Sequence, residues 1–541
     1  MNIQEKISHW VPEAQMEEGQ IPAFRIPASR IHDLCKNLRD DEETPYKFLV
    51  SLIGMDWGDS LGVIFQLSTL PFDQSVLLKV CAEDRENPQI PSVSDLWGIA
   101  NLYEREVFCL LGIRFINHPD MRRLYLRSSW NGYPLRKDYN PDEALNPLNL
   151  ESEPESDIVT QITSNGEGTI QETESALFEK EEYVVNIGPQ HPATHGVLHF
   201  RVSLDGEIIR KIDLNLGYVH RGIEKMCEGY TYPQMLHLTD RLDYLSAHIN
   251  RHALCLCVEN ALQLEVPARV QVIRTMMDEL TRIASHLLAW ACICMDMGAL
   301  TAFIYGMRDR EKIMDIFEET CGGRLITNYN VIGGVMADIH PNFKQRVKDF
   351  IVYLRKKIPE YHDLFTGNVI AIGRLKGIGM LSREEAVSYG VTGPSGRASG
   401  FSCDLRKYQP YAAYDRVKFN EIIREEGDSF ARYMNRLDEI SESLFILEQL
   451  VDNVPEGLFQ VKTKPIIRLP EGEYSQLVEA ARGIFGVYID SRGDKSPYRL
   501  KFRSPCLSLV SIMDSIARGE KIADLIAMGG SLDYVVPDID R

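Results

Sequence analysis

The stretch "LLAWACICMDMGALTAFIYGM", Leu287–Met307, runs for 21 residues with a single charge. A run of that length can span a bilayer. Asp296 falls near its midpoint, where a carboxylate costs about 3 kcal/mol on insertion scales. The preceding "DELTRIASHLL" continues the same helical pattern without a boundary. The segment therefore reads as a buried helix in a globular fold, and Asp296 as a buried acid that requires a partner.

Working outward, a helical, apolar pattern extends from "HRGIEKM" to about residue 320, as expected of a packed bundle. A second helical block covers roughly 342–364 and 415–452, and strand-like pieces return in "FGVYIDSRGDKSPYRLKFRSP". Upstream, "GVLHFRVSLDGEIIRKIDLNLG" is a hairpin signal, with two alternating runs flanking Asp205-Gly206.

The first 140 residues read as α+β. Ser29 is expected to cap "RIHDLCKNLRDD", and "LGVIFQLSTL" and "QSVLLKVCAE" have the composition of strands. "SDLWGIANLYEREVFCLLG" opens with a Ser-Asp cap and continues at helical spacing. Between the two halves, residues 151–182 hold ten acids against the single base Lys180, nearly half of the net charge of −19. The organisation expected is a domain over 1–140, an acidic linker over 141–182 extended by self-repulsion with room for a short helix within it, and a mostly helical domain over 183–541.

Composition narrows the function. A chain of 541 residues exceeds one core, and 44% hydrophobic with 25% charged residues is ordinary globular composition. The acidic balance argues against nucleic acid as a partner. Eleven cysteines include no Cys-x-x-Cys. The pairs Cys255/Cys257 and Cys292/Cys294 alternate within apolar stretches and read as buried thiols in a reducing compartment. The start, "MNIQEKISHWVPEA", has no apolar run, so no signal peptide is expected.

Three motifs could carry chemistry. "NIGPQHPATHG", Asn186–Gly196, with His199 after it, spaces His191, His195 and His199 four apart. A three-histidine metal site would need them on one face, as on a helix, which Pro189, Pro192, Gly188 and Gly196 oppose. That leaves a loop aiming one or two imidazoles into a cleft as proton donors, or a turn with surface histidines. "TDRLDYLSAH", Thr239–His248, stacks Arg241, Asp243 and Tyr244 in an apolar neighbourhood. Tyr244 is either a phenol that binds a carbonyl and yields its proton, or part of a helix cap with a surface ion pair. "GVTGPSGRASG", Gly390–Gly400, lacks the Gly-Lys-[Ser/Thr] ending of a phosphate loop and reads as an ordered loop, not an NADH site.

Taken together, "NIGPQHPATHGVLHFRVSLDGEIIRKID", "GYVHRGIEKM", "DRLDYLSA", "MDMGALTAF" and "SLDYVVPDIDR" closely resemble the 49 kDa (D) subunit of respiratory complex I, NADH-quinone oxidoreductase. "LYEREVFCLLGIRFINHPDMRRLYL" and "WNGYPLRKDY" are similar to its 30 kDa (C) subunit, so the whole resembles the fused C/D subunits of some bacteria. The resemblance implies an α+β 30 kDa-like domain joined to a mostly helical domain with peripheral β-structure, related to the large subunit of nickel–iron hydrogenases. Hydrogenases place four cysteines on their metals, in Arg-x-Cys-Gly-x-Cys and Asp-Pro-Cys-x-x-Cys-x-x-Arg. Here those positions hold Asp243, Ser246, Val535 and Asp538, which removes the soft sulfur ligands nickel needs. The competing readings are thus a hydrogenase-like metalloenzyme and an inert assembly scaffold.

The resemblance further implies a quinone substrate, with His195 and Tyr244 at its oxygens and Asp296 paired to His195. It places Arg241 near the terminal iron–sulfur cluster of a partner B subunit, and Asp533 and Val535 along the quinone cavity. No metal or flavin is expected on this chain itself. Other expected partners are the remaining peripheral-arm and membrane-arm subunits, at the cytoplasmic face of the bacterial inner membrane. His191 is assigned a structural role and His199 none. Two positions depart from the family pattern. Ile326 stands where a histidine near the cluster is common, which points to a potential less dependent on pH and suited to a low-potential quinone such as menaquinone. Cys109 replaces the aspartate of Glu-Arg-Glu-x-x-Asp.

Overall fold

The computed structural model describes residues 2–144, 157–164 and 170–541. The acids Glu151, Glu153, Glu155 and Glu167 lie outside the described residues.

The N-terminal region is built on a five-stranded sheet. The expected strands form as Leu61–Ser68 and Ser75–Cys81, beside Phe48–Asp56 at one edge. Every residue of Phe48–Asp56 and Leu61–Ser68 is buried, which is why these strands read as continuous apolar runs rather than alternating ones. The helix Ala100–Leu111 covers the Phe48–Asp56 strand so closely that a Cβ on Gly54 would lie 2.3 Å from Leu111 Cδ1. The exposed edge that strand would present is closed by the C-terminal half: Arg499 and Arg503 donate to the carbonyls of Gly54 (3.1 Å) and Val50 (2.9 Å).

Two expected caps are replaced. Ser29 lies inside a short 3₁₀ turn, Ala28–Arg30, and the helix Ile31–Arg39 begins after it with no side-chain cap. "SDLWG" forms turns, and its helix starts only at Ala100, without a side-chain cap. Ser92 instead donates to the buried Glu104 carboxyl, at 2.6 Å.

The described part of 141–182 departs from an extended linker. Pro141–Ala144 is helical, and Ile158–Ser164 pairs antiparallel with Ile170–Ala176. This hairpin docks on the N-terminal region, its Ile162 and Thr160 carbonyls accepting from Asn117 (2.6 Å) and Met121 (2.9 Å) amides. Glu172 pairs with Arg114 and Asp157 with Arg201, so arginines from both flanks meet acids that would otherwise repel one another.

Beyond it, His199–Asp205 and Ile208–Asn215 form the expected hairpin, with Gly206 at φ +63° in its turn. The helical core consists of Ala247–Ala261, Ala268–Asp296, Leu300–Cys321, Phe343–Tyr361 and Ser429–Val451. Residues 417–428 are irregular rather than helical, and Asp428 caps the last of these helices by accepting from the Ala431 amide at 2.7 Å. The three-stranded sheet Gly472–Ala480, Gly483–Ser491 and Arg499–Arg503 packs beside Ala247–Ala261. "GVTGPSGRASG" is ordered, but as a buried helical turn over Gly393–Arg397, with Arg397 reaching Glu439 (2.9 Å) and Glu479 (2.7 Å).

The opening stretch is not one helix. Ala268–Asp296 ends at Asp296, Gly298 turns at φ +85°, and Leu300–Cys321 departs. No described helix is long and apolar enough to cross a membrane.

Candidate functional site

The break at Asp296 decides the site. A helix C-terminus carries partial negative charge from its unpaired carbonyls, so a carboxylate there needs a cation. His195 supplies it, with Nε2 2.8 Å from Asp296 Oδ2 across 101 residues of sequence. Local bonding presents the ring. Thr194 is buried, its hydroxyl lies 2.8 Å from the carbonyls of both His191 and Gly196, and His195 sits in the left-handed region at φ +51°. Burial acts to lower the His195 pKa, but the hydrogen bond and charge of Asp296, with Asp533 behind, raise it above its ordinary 6.5.

A third element walls this pair. The helix Leu525–Leu532 contains "GGS", and a Cβ on Gly530 would lie 2.9 Å from Asp296 Oδ2 and 3.7 Å from His195 Cε1. Only a glycine lets that backbone come so near. Asp533 then ends the helix at φ +60°. Its carboxylate accepts from Arg482 Nη2 (3.0 Å) and its carbonyl from Arg482 Nε (2.6 Å). The other side of the same guanidinium donates to Asp243 (2.9 Å) and to the Ser285 hydroxyl (3.0 Å). Arg482 thereby ties the "DRLDYLS" segment to the end of the chain.

Tyr244 follows Asp243 and is half-buried. Burial raises its pKa above 10 against the opposing charge of Arg482, and Asp533 and Cys292 lie within electrostatic reach of the phenol. Cys292 stands one helical turn before Asp296, and both Asp296 and Asp533 act on its thiol. His195, Asp296, Tyr244, Asp533 and Cys292 therefore share one neighbourhood. The His195 shift runs against burial and comes from its carboxylate partner, as expected of a functional site, whereas burial is the first cause of the raised Tyr244 and Cys292 values.

The remaining expected residues are placed differently. Val535 is buried, with its amide donating to Cys506 Sγ at 3.3 Å. Arg241 is 41% exposed at its side chain, outside this cluster, beside Arg221, whose Nη2 donates to the Arg241 carbonyl. His191 is exposed, and His199 is buried on a strand with Nε2 3.3 Å from Asn186 Oδ1. Of the four hydrogenase cysteine positions, Asp243 is held by Arg482, while Asp538 accepts from Ser504 Oγ at 2.5 Å. Burial and the nearby Asp243 charge push Asp538 up to about 6. A guanidinium and a hydroxyl thus hold the Asp243 and Asp538 carboxyls, and the Asp243 charge acts on Asp538. Among the described residues, no group of three or more His, Cys, Asp or Glu side chains could hold a metal ion.

Sequence reasoning missed Arg482 and Gly530, and it read Cys292 as a buried thiol, whereas Cys292 is half-buried beside Asp296. Only Gly530 left a signal: paired glycines inside an apolar helix cost stability unless something must approach closely.

Comparison with known proteins supplies the family. The family described as respiratory-chain NADH dehydrogenase, 30 Kd subunit, matches residues 24–144, and the 49 Kd subunit family matches 296–468 and 459–541. The NADH-quinone oxidoreductase C/D subunit of Bacteroides thetaiotaomicron is 61% identical over 529 residues, covering 96% of this chain and 99% of that protein. This chain belongs to the family of NADH-quinone oxidoreductase C/D subunits. The C/D subunit of Phocaeicola vulgatus is 60% identical over 519 residues, 96% of this chain and 99% of its own. The separate D subunit of Bacillus mycoides is 43% identical over 365 residues, 67% of this chain and all of its own length. As a C/D subunit the chain is part of an oxidoreductase complex, and its partners are found within that complex.

Proposed function

We propose that this C/D subunit forms the quinone-reduction site of the complex together with the iron–sulfur B subunit. The observation that carries the reading is the His195–Asp296 pair at 2.8 Å, with Asp533 acting on both His195 and the half-buried Tyr244 phenol. Reducing a quinone to a quinol takes two electrons and two protons. The electrons come from the iron–sulfur cluster of the B subunit. The protons are close at hand: with Nε2 engaged by Asp296, His195 Nδ1 is the ring nitrogen left to meet one quinone oxygen, and Tyr244 Oη meets the other. A raised His195 pKa keeps the imidazolium populated near neutral pH, the condition for an efficient proton donor. Burial keeps Tyr244 protonated until the oxygen before it gains negative charge.

Asp533 and Val535 belong to the wall of the quinone chamber, and Arg241 to the rim facing the cluster. After proton transfer, the imidazolium–carboxylate pair becomes imidazole–carboxylate. Asp296 is then an uncompensated charge at a helix C-terminus, a strained state that starts the coupling of quinone reduction to proton translocation. On this reading the protein sits peripherally at the cytoplasmic face of the inner membrane, and Ile326 favours a low-potential quinone such as menaquinone.

The test is quinone-reductase turnover in membranes carrying Tyr244→Phe, with assembly and reduction of the terminal cluster followed on the same sample. The expected result is an assembled complex whose cluster is reduced and whose turnover collapses. Unchanged turnover would leave Tyr244 a packing residue and favour the scaffold reading.

A further inference from the structure

The segment Val536–Arg541 joins two distant parts of the molecule. At one end Val536 packs on the His195 loop, where a Cβ on Gly196 would lie 2.6 Å from Val536 Cγ2. At the other end the N-terminal domain holds it. Tyr125 donates its hydroxyl to the Ile539 carbonyl at 3.0 Å, and its ring stacks on His220 with centroids 5.0 Å apart and planes 9° apart. His220 Nδ1 donates to the Asp540 carbonyl (2.6 Å), and the Asp540 carboxylate accepts from the Gly217 (2.9 Å) and Val219 (3.0 Å) amides. Arg541 reaches Glu106 (2.6 Å) and Glu224 (3.3 Å).

The charges around this segment are paired. Glu106 and Glu224 meet Arg499, Lys501 and Arg541, with the Asp538 and Asp540 carboxyls within reach of Arg541, and all seven are buried. Burial would raise Glu224, but Lys501, Arg499 and Arg541 more than offset it and hold it well below the usual carboxylate range. A buried, paired network of this kind selects one arrangement more than it adds stability, because any shift of the segment strands a charge. Glu106 lies on the helix Ala100–Leu111 and Tyr125 shortly after it, so both members come from the N-terminal domain.

We propose that Glu106 and Tyr125 are positioning residues for quinone reduction: the N-terminal domain fixes Val536–Arg541, and that segment holds the His195 loop against Asp296. The proposal rests on the quinone reading above. It gives the fusion of the two domains a catalytic consequence, since the first domain sets the geometry of a site it does not touch.

The charged surroundings of His195 define the pH readout. Asp296 faces it from the long helix and Asp533 from the end of Leu525–Leu532. Cys292 and Tyr534 face Asp296, and Arg482 and Arg436 face Asp533. A loosened loop weakens the Asp296 bond, so the His195 pKa falls and the alkaline limb of turnover moves to lower pH.

The experiment uses whole complex in membranes and a short-chain quinone as probe. Tyr125→Phe keeps the ring stack and removes one hydrogen bond, Val536→Ala removes the contact with the loop, and the double variant closes the cycle. Expected are about three- to tenfold losses of kcat for each single change, with the alkaline limb shifted down. The double variant should be no worse than the poorer single. Independent changes act additively, so additive losses, or a Tyr125→Phe enzyme with unchanged kcat and limb, overturn the proposal. Glu106→Gln should shift the limb the same way; if it does not assemble, the Tyr125–Val536 cycle decides alone. Tyr244→Phe runs alongside: full turnover there defeats the quinone reading itself, whereas its collapse with Tyr125→Phe unaffected defeats only the positioning role.

Discussion

Among the histidine–carboxylate pairs of the helix Ala268–Asp296, two have nearly the same length and opposite behaviour. At its end Asp296 meets His195 at 2.8 Å; ten residues earlier His286 meets Glu439 at 2.9 Å. His195 is drawn upward in pKa, whereas His286 is pushed downward. Distance does not explain the difference; surroundings do. The His195 and Asp296 side chains retain 18% and 9% exposure, and the described charges that act on the ring, Asp296 and Asp533, are both negative. His286 and Glu439 retain 0% and 2%, Arg436 and Arg282 add their positive charge, and Arg397 shares the Glu439 carboxylate. The first pair can hold and release a proton. The second is a structural bond in which the ring stays neutral.

The contrast breaks most visibly at the structural pair. Glu439→Ala strips Arg397 of one of its two acids in a sealed interior and is expected to cost about 3–5 kcal/mol of stability. Thermal unfolding of the chain measures it, and an unchanged midpoint would show that the network is dispensable. Asp296→Asn should leave assembly intact and lower quinone turnover about 10- to 100-fold. Its alkaline limb should move to lower pH, because the raising influence of Asp296 is gone while burial still lowers His195. Full coupling of proton pumping to the residual turnover would remove Asp296 from energy transmission.

Smaller effects sharpen the comparison. Gly530→Ala places a methyl group 2.9 Å from Asp296 Oδ2 and should cut turnover several-fold, about 1 kcal/mol of activation free energy, by displacing the carboxylate. Wild-type turnover from this variant would mean the wall yields freely. His286→Gln should keep turnover per assembled complex within about twofold of wild type and leave its pH limbs in place; a shifted limb would assign His286 to the proton path. The two histidines also act oppositely on stability. The raised pKa of His195 contributes stability fully present below its unfolded value near 6.5 and lost as pH rises through the folded value. The lowered pKa of His286 does the reverse, destabilising the fold as pH falls below that same unfolded value. Unfolding free energy against pH, compared between His195→Gln and His286→Gln, should deviate from wild type with opposite slopes.

The features legible in the linear chain were local and periodic. Asp205-Gly206 specified its hairpin, since a turn pair and two flanking strands lie within one short window. The long helices followed from apolar spacing, and the prolines and glycines around His195 opposed an α-helix there, where only a short 3₁₀ turn, Pro192–Thr194, forms. Asp296 was legible as an acid in need of a partner. Where that partner stood was not. Periodicity could not reveal the break at Gly298, because the residues on both sides are equally apolar. The caps at Ser29 and Ser94 failed because a capping residue signals only that a turn can form there. The tertiary structure alone decided the rest: Arg482 lies 239 residues from Asp243 and Arg541 lies 435 from Glu106. Such pairs form because a buried charge must be neutralised wherever packing leaves it. That requirement acts through space, so a linear sequence carries the charges but not their pairing.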